Sequence, residues 1–271
     1  MGDLRLFLFD MDGTLMVNQW EYHLSVVSML KRLRTQGDMV ILCTGRSRAH
    51  IPMEIWRQTD GAILLNGACC IYNNCVFLDR PLQEEMLIKC LDIGQALGIP
   101  MYLESNAHMA FWGTPEDFAK WGEDNGRLVE LFDCQISCYR EWKQQYGDEP
   151  IYKIDVASKC FQTYCYELMR QGIPCEQTDG GAGCHEILSQ GVSKGNGLKL
   201  LLENVKRKDH VVICFGDGVN DISMFQYSDL CIAMGNAVPE LKQIADYVTD
   251  SVENDGCEKA LRILKLYEAI D

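Results

Sequence analysis

Four polar clusters, each set directly behind an apolar run, constrain this chain more tightly than any other feature. Leu4 to Phe9 is apolar except for Arg5 and runs straight into Asp10-Met11-Asp12-Gly13-Thr14. Met39 to Cys43 leads into Thr44-Gly45-Arg46, and Ala62 to Leu65 into Asn66-Gly67-Ala68. Val211 to Phe215 leads into Gly216-Asp217-Gly218-Val219-Asn220-Asp221. Short, nearly continuous apolar runs are the pattern of strands buried on both faces, and hence of a parallel sheet. In such a sheet ligands sit beyond the carboxyl ends of the strands, so all four clusters are expected on one rim.

The intervening segments supply the helices. Trp20 to Arg34 carries Leu24, Val27, Leu30 and Leu33 at helical spacing and stops at Gly37. A helix through Ile51 to Trp56 completes a βαβαβ order, and Cys69–Tyr72 with Val76–Leu78 reads as a hairpin around Asn73-Asn74-Cys75. From Leu82 the rhythm changes. A long amphipathic helix (Met86, Leu87, Leu91, Ile93, Leu97) precedes short strands near Met101–Leu103 and Met109–Trp112. Tyr152–Ala157 (strand), Phe161–Arg170 (helix) and strands near Cys175 and Cys184–Leu188 follow. After Val192 the first rhythm returns, with a helix Ser193–Asn204, strand Val211–Phe215, a helix from near Asn220 and strand Leu230–Met234. A helix from Pro239, Tyr247-Val248 and a last helix Glu258–Ala269 close the chain. The expected architecture is α/β: a Rossmann-like parallel sheet core with helices on both faces, built from residues 1–81 and 189–271. An α+β domain is inserted over residues 82–188.

Composition narrows the function. The 271 residues are 47% hydrophobic, enough for a substantial core, and carry 39 acidic against 25 basic side chains, a net charge of −14. Such a surface repels nucleic-acid backbones and anionic membranes at long range. No apolar run reaches the roughly 18 residues of a membrane helix, and the first residues lack a secretory signal pattern, so a cytoplasmic protein is expected. The 14 cysteines sit largely inside apolar runs, as Cys43 and Cys214 do, and read as buried thiols in a reducing compartment. Any phosphate chemistry must therefore draw on a local cluster of positive charge or a metal.

The rim residues fit that need. Asp10, Asp12, Asp217 and Asp221 together would place like charges within a few ångströms, and they cannot all stay ionised unpaired. A hard divalent cation with oxygen ligands resolves the conflict, and Mg2+ is the usual choice beside phosphate. Thr44, Lys194 and the glycine-rich backbone supply donors for a phosphoryl group, and an aspartate can attack phosphorus covalently.

Asp10-Met11-Asp12-Gly13-Thr14, Thr44, Lys194 and Gly216-Asp217…Asn220-Asp221 resemble the four ordered motifs of the haloacid dehalogenase (HAD) superfamily of phosphatases. With Asn66-Gly67-Ala68 and the long insertion between Thr44 and Lys194, the chain is most similar to the Cof-type branch, whose inserted α/β cap is of the C2 class. The resemblance implies Asp10 as nucleophile and Asp12 as general acid, then base, with its main-chain carbonyl beside Asp10 and Asp217 on Mg2+. It implies Thr44 and Lys194 on the phosphoryl group and Asn220 on phosphate. Asp221 would support the metal or Lys194, and Gly45, Arg46 and Asn66 would face substrate. The cap would open and close about hinges near Pro81 and Ser189-Gln190-Gly191. The implied activity is hydrolysis of a small phosphorylated metabolite, a sugar phosphate or a pyridoxal phosphate-like cofactor, by a monomer or homodimer.

Simpler roles compete at each position. Asp12 can serve a turn, Thr14 and Asp221 can cap helices, Arg46 can pair with a carboxylate, and Asn66 can tie down its own loop. In the insertion, Gly180-Gly181-Ala182-Gly183 could approach a ligand or simply turn the chain. Trp112, Trp121 and Trp142 could stack on a ring or fill a core. His108 and His185 lack metal spacing. A phosphotransferase or mutase of the same superfamily, and a non-catalytic phosphate sensor, are the alternative functions.

Overall fold

The computed structural model describes residues 4–18, 20–125, 132–181, 184–205 and 210–267. They form two compact units, one of Met1–Arg46, His50–Asp79 and Ser193–Asp271, the other of Ser47–Ala49 and Arg80–Val192.

The first unit is built on β1 (Leu4–Phe9), β2 (Met39–Cys43), β3 (Gly61–Leu64), β4 (Cys69–Tyr72), β5 (Cys75–Asp79), β12 (His210–Gly216), β13 (Leu230–Ala233) and β14 (Tyr247–Val248). Their order across the sheet is β14-β13-β12-β1-β2-β3-β4-β5. Neighbours from β14 to β3 run parallel, and β4 and β5 are added antiparallel. The chain steps from β1 to β2 and β3 on one side and returns through β12 to β14 on the other, so β1 lies at the switch point. With right-handed crossovers this order sends the two sets of connecting helices to opposite faces. Helix α1 (Leu24–Thr35) packs on α2 (Met53–Trp56) and α10 (Gly256–Ile263). Helix α7 (Lys194–Asn204) packs on α8 (Ile222–Phe225). Leu6 to Phe9, Val40 to Cys43 and Phe215 are completely or almost completely removed from solvent, as strands covered on both faces require.

Several expected boundaries move, each for a local reason. Helix α1 starts at Leu24 and not at Trp20, because the Asn18 side chain accepts the N–H groups of Trp20 and Glu21 and holds the chain in a turn. Helix α2 starts at Met53, since Pro52 disfavours a helical residue before it. The hairpin turn is Asn73-Asn74 alone, both at positive φ (48° and 61°), which places Cys75 in β5. Helix α10 begins at Gly256 and ends at Ile263, with Lys265 at φ 53° breaking the helical path. Residues 268 and 269 of the expected last helix lie outside the described residues.

The second unit carries a six-stranded sheet in the order β10-β11-β9-β6-β7-β8. The strands are β6 (Met101–Glu104), β7 (Met109–Trp112), β8 (Cys134–Ile136), β9 (Lys153–Ala157), β10 (Cys175–Gly181) and β11 (Cys184–Ser189). All pairs are antiparallel except β7 with β8. Helices α3 (Glu84–Ala96), α5 (Tyr139–Tyr146) and α6 (Ser158–Arg170) join Met101, Leu103, Trp112, Ile154, Val156 and Ile187 in one apolar core. Trp142 is fully buried there, and its indole N–H donates to the Glu149 carbonyl, so Trp112 and Trp142 are core residues. The side chain of Trp121, and Ala182 and Gly183 of the glycine run, lie outside the described residues. Among the described residues no helix is long and apolar enough to cross a membrane.

Candidate active site

Register carries β1, β2, β3 and β12 to one rim. Phe9 sits opposite both Leu42 and Phe215, and Cys43 opposite Ile63, so the residues that follow β1, β2, β12 and β3 emerge at a common edge. Stacking of Phe9 on Phe215, with ring centroids 4.7 Å apart, fixes the two central strands side by side. Asp10 continues β1, its N–H donating to the Phe215 carbonyl at 3.0 Å. The chain then folds back on itself, with the N–H groups of Thr14, Leu15 and Met16 all directed at the Met11 carbonyl. Gly13 at φ +75° allows this turn, and a Cβ there would stand 2.1 Å from Asp217 Oδ2.

Lys194 is the first residue of α7, whose N-cap Ser193 accepts the Asn196 N–H. A cation at a helix N-terminus opposes the helix dipole, so local structure alone does not favour it. Its partners do. Nζ has no solvent exposure and donates to Asp10 Oδ1 at 2.7 Å and Asp221 Oδ1 at 2.6 Å. Burial works against its charge, yet the two carboxylates outweigh that and hold the ammonium above its ordinary range.

Asp221 is fully buried, and both its oxygens are engaged: Oδ1 by Lys194, Oδ2 by the N–H groups of Asp217 (2.8 Å) and Gly218 (2.9 Å). Asp221 therefore holds Lys194 and the turn before it, and its side chain makes no cap hydrogen bond to the helix α8 that it begins. Asp217 accepts from the Thr14 hydroxyl at 3.1 Å, so Thr14 serves the acidic cluster and caps no helix. Oxygens of Asp10, Asp217 and Asp221 all lie within 4.8 Å of one another. The crowding is visible in their proton affinities. Burial first, then Asp221, push Asp217 up to about 7 against the pull of Lys194. Burial likewise drives Asp10 well above the usual carboxylate range, with Lys194 opposing and Asp221 and Asp217 adding to the rise. An all-oxygen donor set short of positive charge fits a hard cation such as Mg2+. Asp221 already accepts three hydrogen bonds, from Lys194 and the Asp217 and Gly218 N–H groups, so Asp10 and Asp217 are the side chains with most capacity left to hold one.

Thr44 is completely buried, with its N–H on the Ile63 carbonyl and its Oγ accepting the Arg46 N–H at 3.1 Å. Gly45 bridges the two. Arg46 makes the carboxylate pair: Nε and Nη2 form a fork on Asp12 at 2.8 and 2.5 Å, and Nη1 reaches the His50 carbonyl. The Asp12 side chain is 54% exposed, in contrast to Asp10. Asn66 takes φ 54°, and its Oδ1 accepts from Asn220 Nδ2 at 3.0 Å, so two of the expected phosphate contacts hold each other.

One participant escaped the sequence reading. Asn236 donates through Nδ2 to the Gly13 carbonyl at 2.8 Å and lies 3.4 Å from Asp217 Oδ2, while its Oδ1 accepts the Val252 N–H. Its position, just past β13, is the signal that would have found it. Among the described cysteines, Cys43, Cys214 and Cys257 are buried thiols raised in pKa chiefly by burial.

A family model for haloacid dehalogenase-like hydrolases matches residues 7–261. The chain belongs to this family. It is 28% identical to YkrA of Bacillus subtilis, which is named as a phosphatase, over 97% of this chain and 99% of YkrA. It is 24% identical to YcsE of the same organism, a 5-amino-6-(5-phospho-D-ribitylamino)uracil phosphatase, over 96% of this chain and 95% of YcsE. Among solved structures, the fold superposes on the HAD subclass IIB sugar phosphatase BT4131 with TM-score 0.78 at 21% identity, covering 97% and 100% of the two chains. BT1666 of Bacteroides thetaiotaomicron gives TM-score 0.80 at 23% identity, covering 98% and 96%. The second, six-stranded sheet is part of the fold shared with BT4131.

Proposed function

We propose that the chain is a Mg2+-dependent phosphomonoesterase that hydrolyses small phosphorylated metabolites through an aspartyl-phosphate on Asp10. Membership of the family makes it a hydrolase of phosphate esters. The observation that carries the finer reading is the buried Lys194 ammonium clamped between Asp10 and Asp221, with Asp217 in the same acidic cluster. A nucleophilic carboxylate needs a fixed orientation and an ionised form, and Lys194 supports both.

In the first step an Asp10 oxygen bonds to phosphorus, the ester P–O bond breaks, and Asp12 delivers a proton to the departing alkoxide. In the second, Asp12 takes a proton from water, which attacks phosphorus and releases phosphate and free Asp10. The Arg46 fork orients the exposed Asp12 carboxylate. Lys194, the Thr44 hydroxyl and Asn220 bind the phosphoryl oxygens and meet the charge that spreads over them in the transition state. A bound Mg2+, held by Asp10, Asp217 and the Asp12 main-chain carbonyl, would neutralise charge on the phosphoryl group. Asp221 positions Lys194 and the Asp217 loop. The names of YcsE and BT4131 support a phosphorylated polyol or sugar as substrate class. The net charge of −14 favours no nucleic-acid partner.

Hydrolysis of p-nitrophenyl phosphate tests the reading. Release of p-nitrophenol should require Mg2+ and fall to background in EDTA; turnover undiminished by the chelator would defeat it. Gly13→Ala provides a second check, since the added methyl must displace Asp217. Turnover should drop by roughly a hundredfold, the cost typical of a misplacement of about 1 Å. Calorimetry should show weakened Mg2+ binding in the same variant.

A further inference from the structure

Three successive residues leave β3 with left-handed backbone: Leu65 at φ 52°, Asn66 at 54° and Gly67 at 101°. Asparagine and glycine tolerate this region, but a fully buried leucine stays there only where its surroundings over-determine it. Here those surroundings are the motifs of the site. The Leu65 N–H donates to the Arg46 carbonyl at 3.1 Å, and the Asn66 N–H to the Thr44 carbonyl at 3.0 Å. A Cβ on Gly67 would stand 2.3 Å from the Ser193 carbonyl oxygen, so the turn is seated against the residue that caps α7 and precedes Lys194. The Asn66 side chain turns to the fourth motif, its Oδ1 accepting from Asn220 Nδ2 at 3.0 Å.

Burial separates the two asparagines. Asn66 is 2% exposed, whereas Asn220 is half-buried. The Asn220 carbonyl accepts from the Ser223 hydroxyl at 3.1 Å, and Ser223 Oγ accepts the Gly195 N–H, so the Asn220 main chain is tied to the start of α7. Nothing in those bonds fixes the side-chain amide. One orientation would offer an anion Nδ2, a donor; the other would offer Oδ1, an acceptor that repels it. Asn66 Oδ1 can only accept, so it engages the Nδ2 side and selects one orientation. The second hydrogen on Nδ2 remains for a phosphoryl oxygen.

We infer that Asn66 is a positioning residue: it fixes the amide of Asn220 without touching the phosphoryl group itself. The left-handed turn Leu65–Gly67 holds it in place relative to Thr44 and Ser193. The inference rests on the reading of Asn220 as a phosphoryl-binding group.

The test is a double-mutant cycle on the full chain, with inorganic phosphate titrated by calorimetry in the presence of Mg2+. Asn66→Gly keeps the left-handed backbone and removes only the side chain. Asn220→Ala should weaken phosphate binding about tenfold, the scale of one charge-assisted hydrogen bond. Asn66→Gly should weaken it about fivefold, the cost of ordering a freed side chain again on binding. The double variant should bind like Asn220→Ala alone, not about fiftyfold more weakly than the wild type. In an Asn66→Asp background, which retains an acceptor for Asn220, Asn220→Ala should again cost about tenfold. Should Asn66→Gly fail to fold, Asn66→Ala closes the same cycle. Additive losses would mean that Asn66 meets the anion directly, and they would overturn the inference. So would an Asn66→Gly variant that binds like the wild type, an Asn220→Ala variant that does so, or a wild type that binds no phosphate. Binding needs no turnover. A non-additive cycle in a chain that leaves p-nitrophenyl phosphate intact keeps this role and rejects the phosphomonoesterase reading; hydrolysis with additive losses does the reverse.

Discussion

Asp10→Asn is expected to lower hydrolysis of p-nitrophenyl phosphate by about ten-thousand-fold or more, the scale of losing a covalent nucleophile, while the melting temperature holds or rises. The two halves of that result have one cause. Asp10 is buried against Asp217 and Asp221, and its carboxyl is driven far up in pKa by burial, with those two neighbours adding to the rise. A neutral amide of the same shape relieves the repulsion, still accepts from Lys194 Nζ, and leaves the Asp10 N–H bond to Phe215 untouched. An amide cannot displace an alkoxide from phosphorus. Steady-state rates and thermal melts in metal-free buffer, read together, check the prediction. Near-wild-type turnover would remove Asp10 from the nucleophile's role, and a collapsed melt would mean that its charge holds the fold.

Lys194→Met should show the opposite combination, losing both activity and stability. The substitution keeps the length of the side chain but leaves Asp10 and the fully buried Asp221 without their shared ammonium. Removing one partner of a buried ion pair costs about 3–5 kcal/mol, a fall of roughly 10 °C in melting temperature for a chain of this size. Adding Asp221→Asn should restore part of the lost stability, because one of the stranded charges is then gone. It should restore no activity, since the cation beside Asp10 is still missing. A single Lys194→Met variant that melts like the wild type would show that the lysine carries no net electrostatic weight in this site.

The contrast between these variants illustrates what could be read before any coordinates. Apolar runs ending in Asp10, Thr44, Asn66 and Asp217 were legible because a parallel strand is buried on both faces, and its polar residues can only lie past its end. Boundaries were less legible where a side chain overrides periodicity. Asn18 holds the segment before α1 in a turn although Trp20 continues the apolar spacing. Asp12 and Arg46 were both expected near substrate, but nothing in their separate motifs announces that they fork together. Asn236 went unseen because its partners, Gly13 and Val252, lie far away along the chain in one case and beyond the helix Pro239–Ile244 and β14 in the other.

In the second unit the alternation Lys153-Ile154-Asp155-Val156 was visible, and its apolar half was read as a strand. Which polar residues would meet across β6, β9 and β11 depends on register, and register is fixed by the whole apolar face packing at once.

The succession of strands and helices along the chain, the rim on which the motifs gather and the kind of chemistry expected there followed from the sequence, because periodicity and strand ends are properties of neighbouring residues. The partners of each carboxylate are visible only in the tertiary structure. Lys194 stands 184 positions from Asp10, and Thr14 stands 203 from Asp217. Whether an aspartate is saturated, paired or left wanting a cation is decided by burial and by distances of a few ångströms between groups that no local pattern connects.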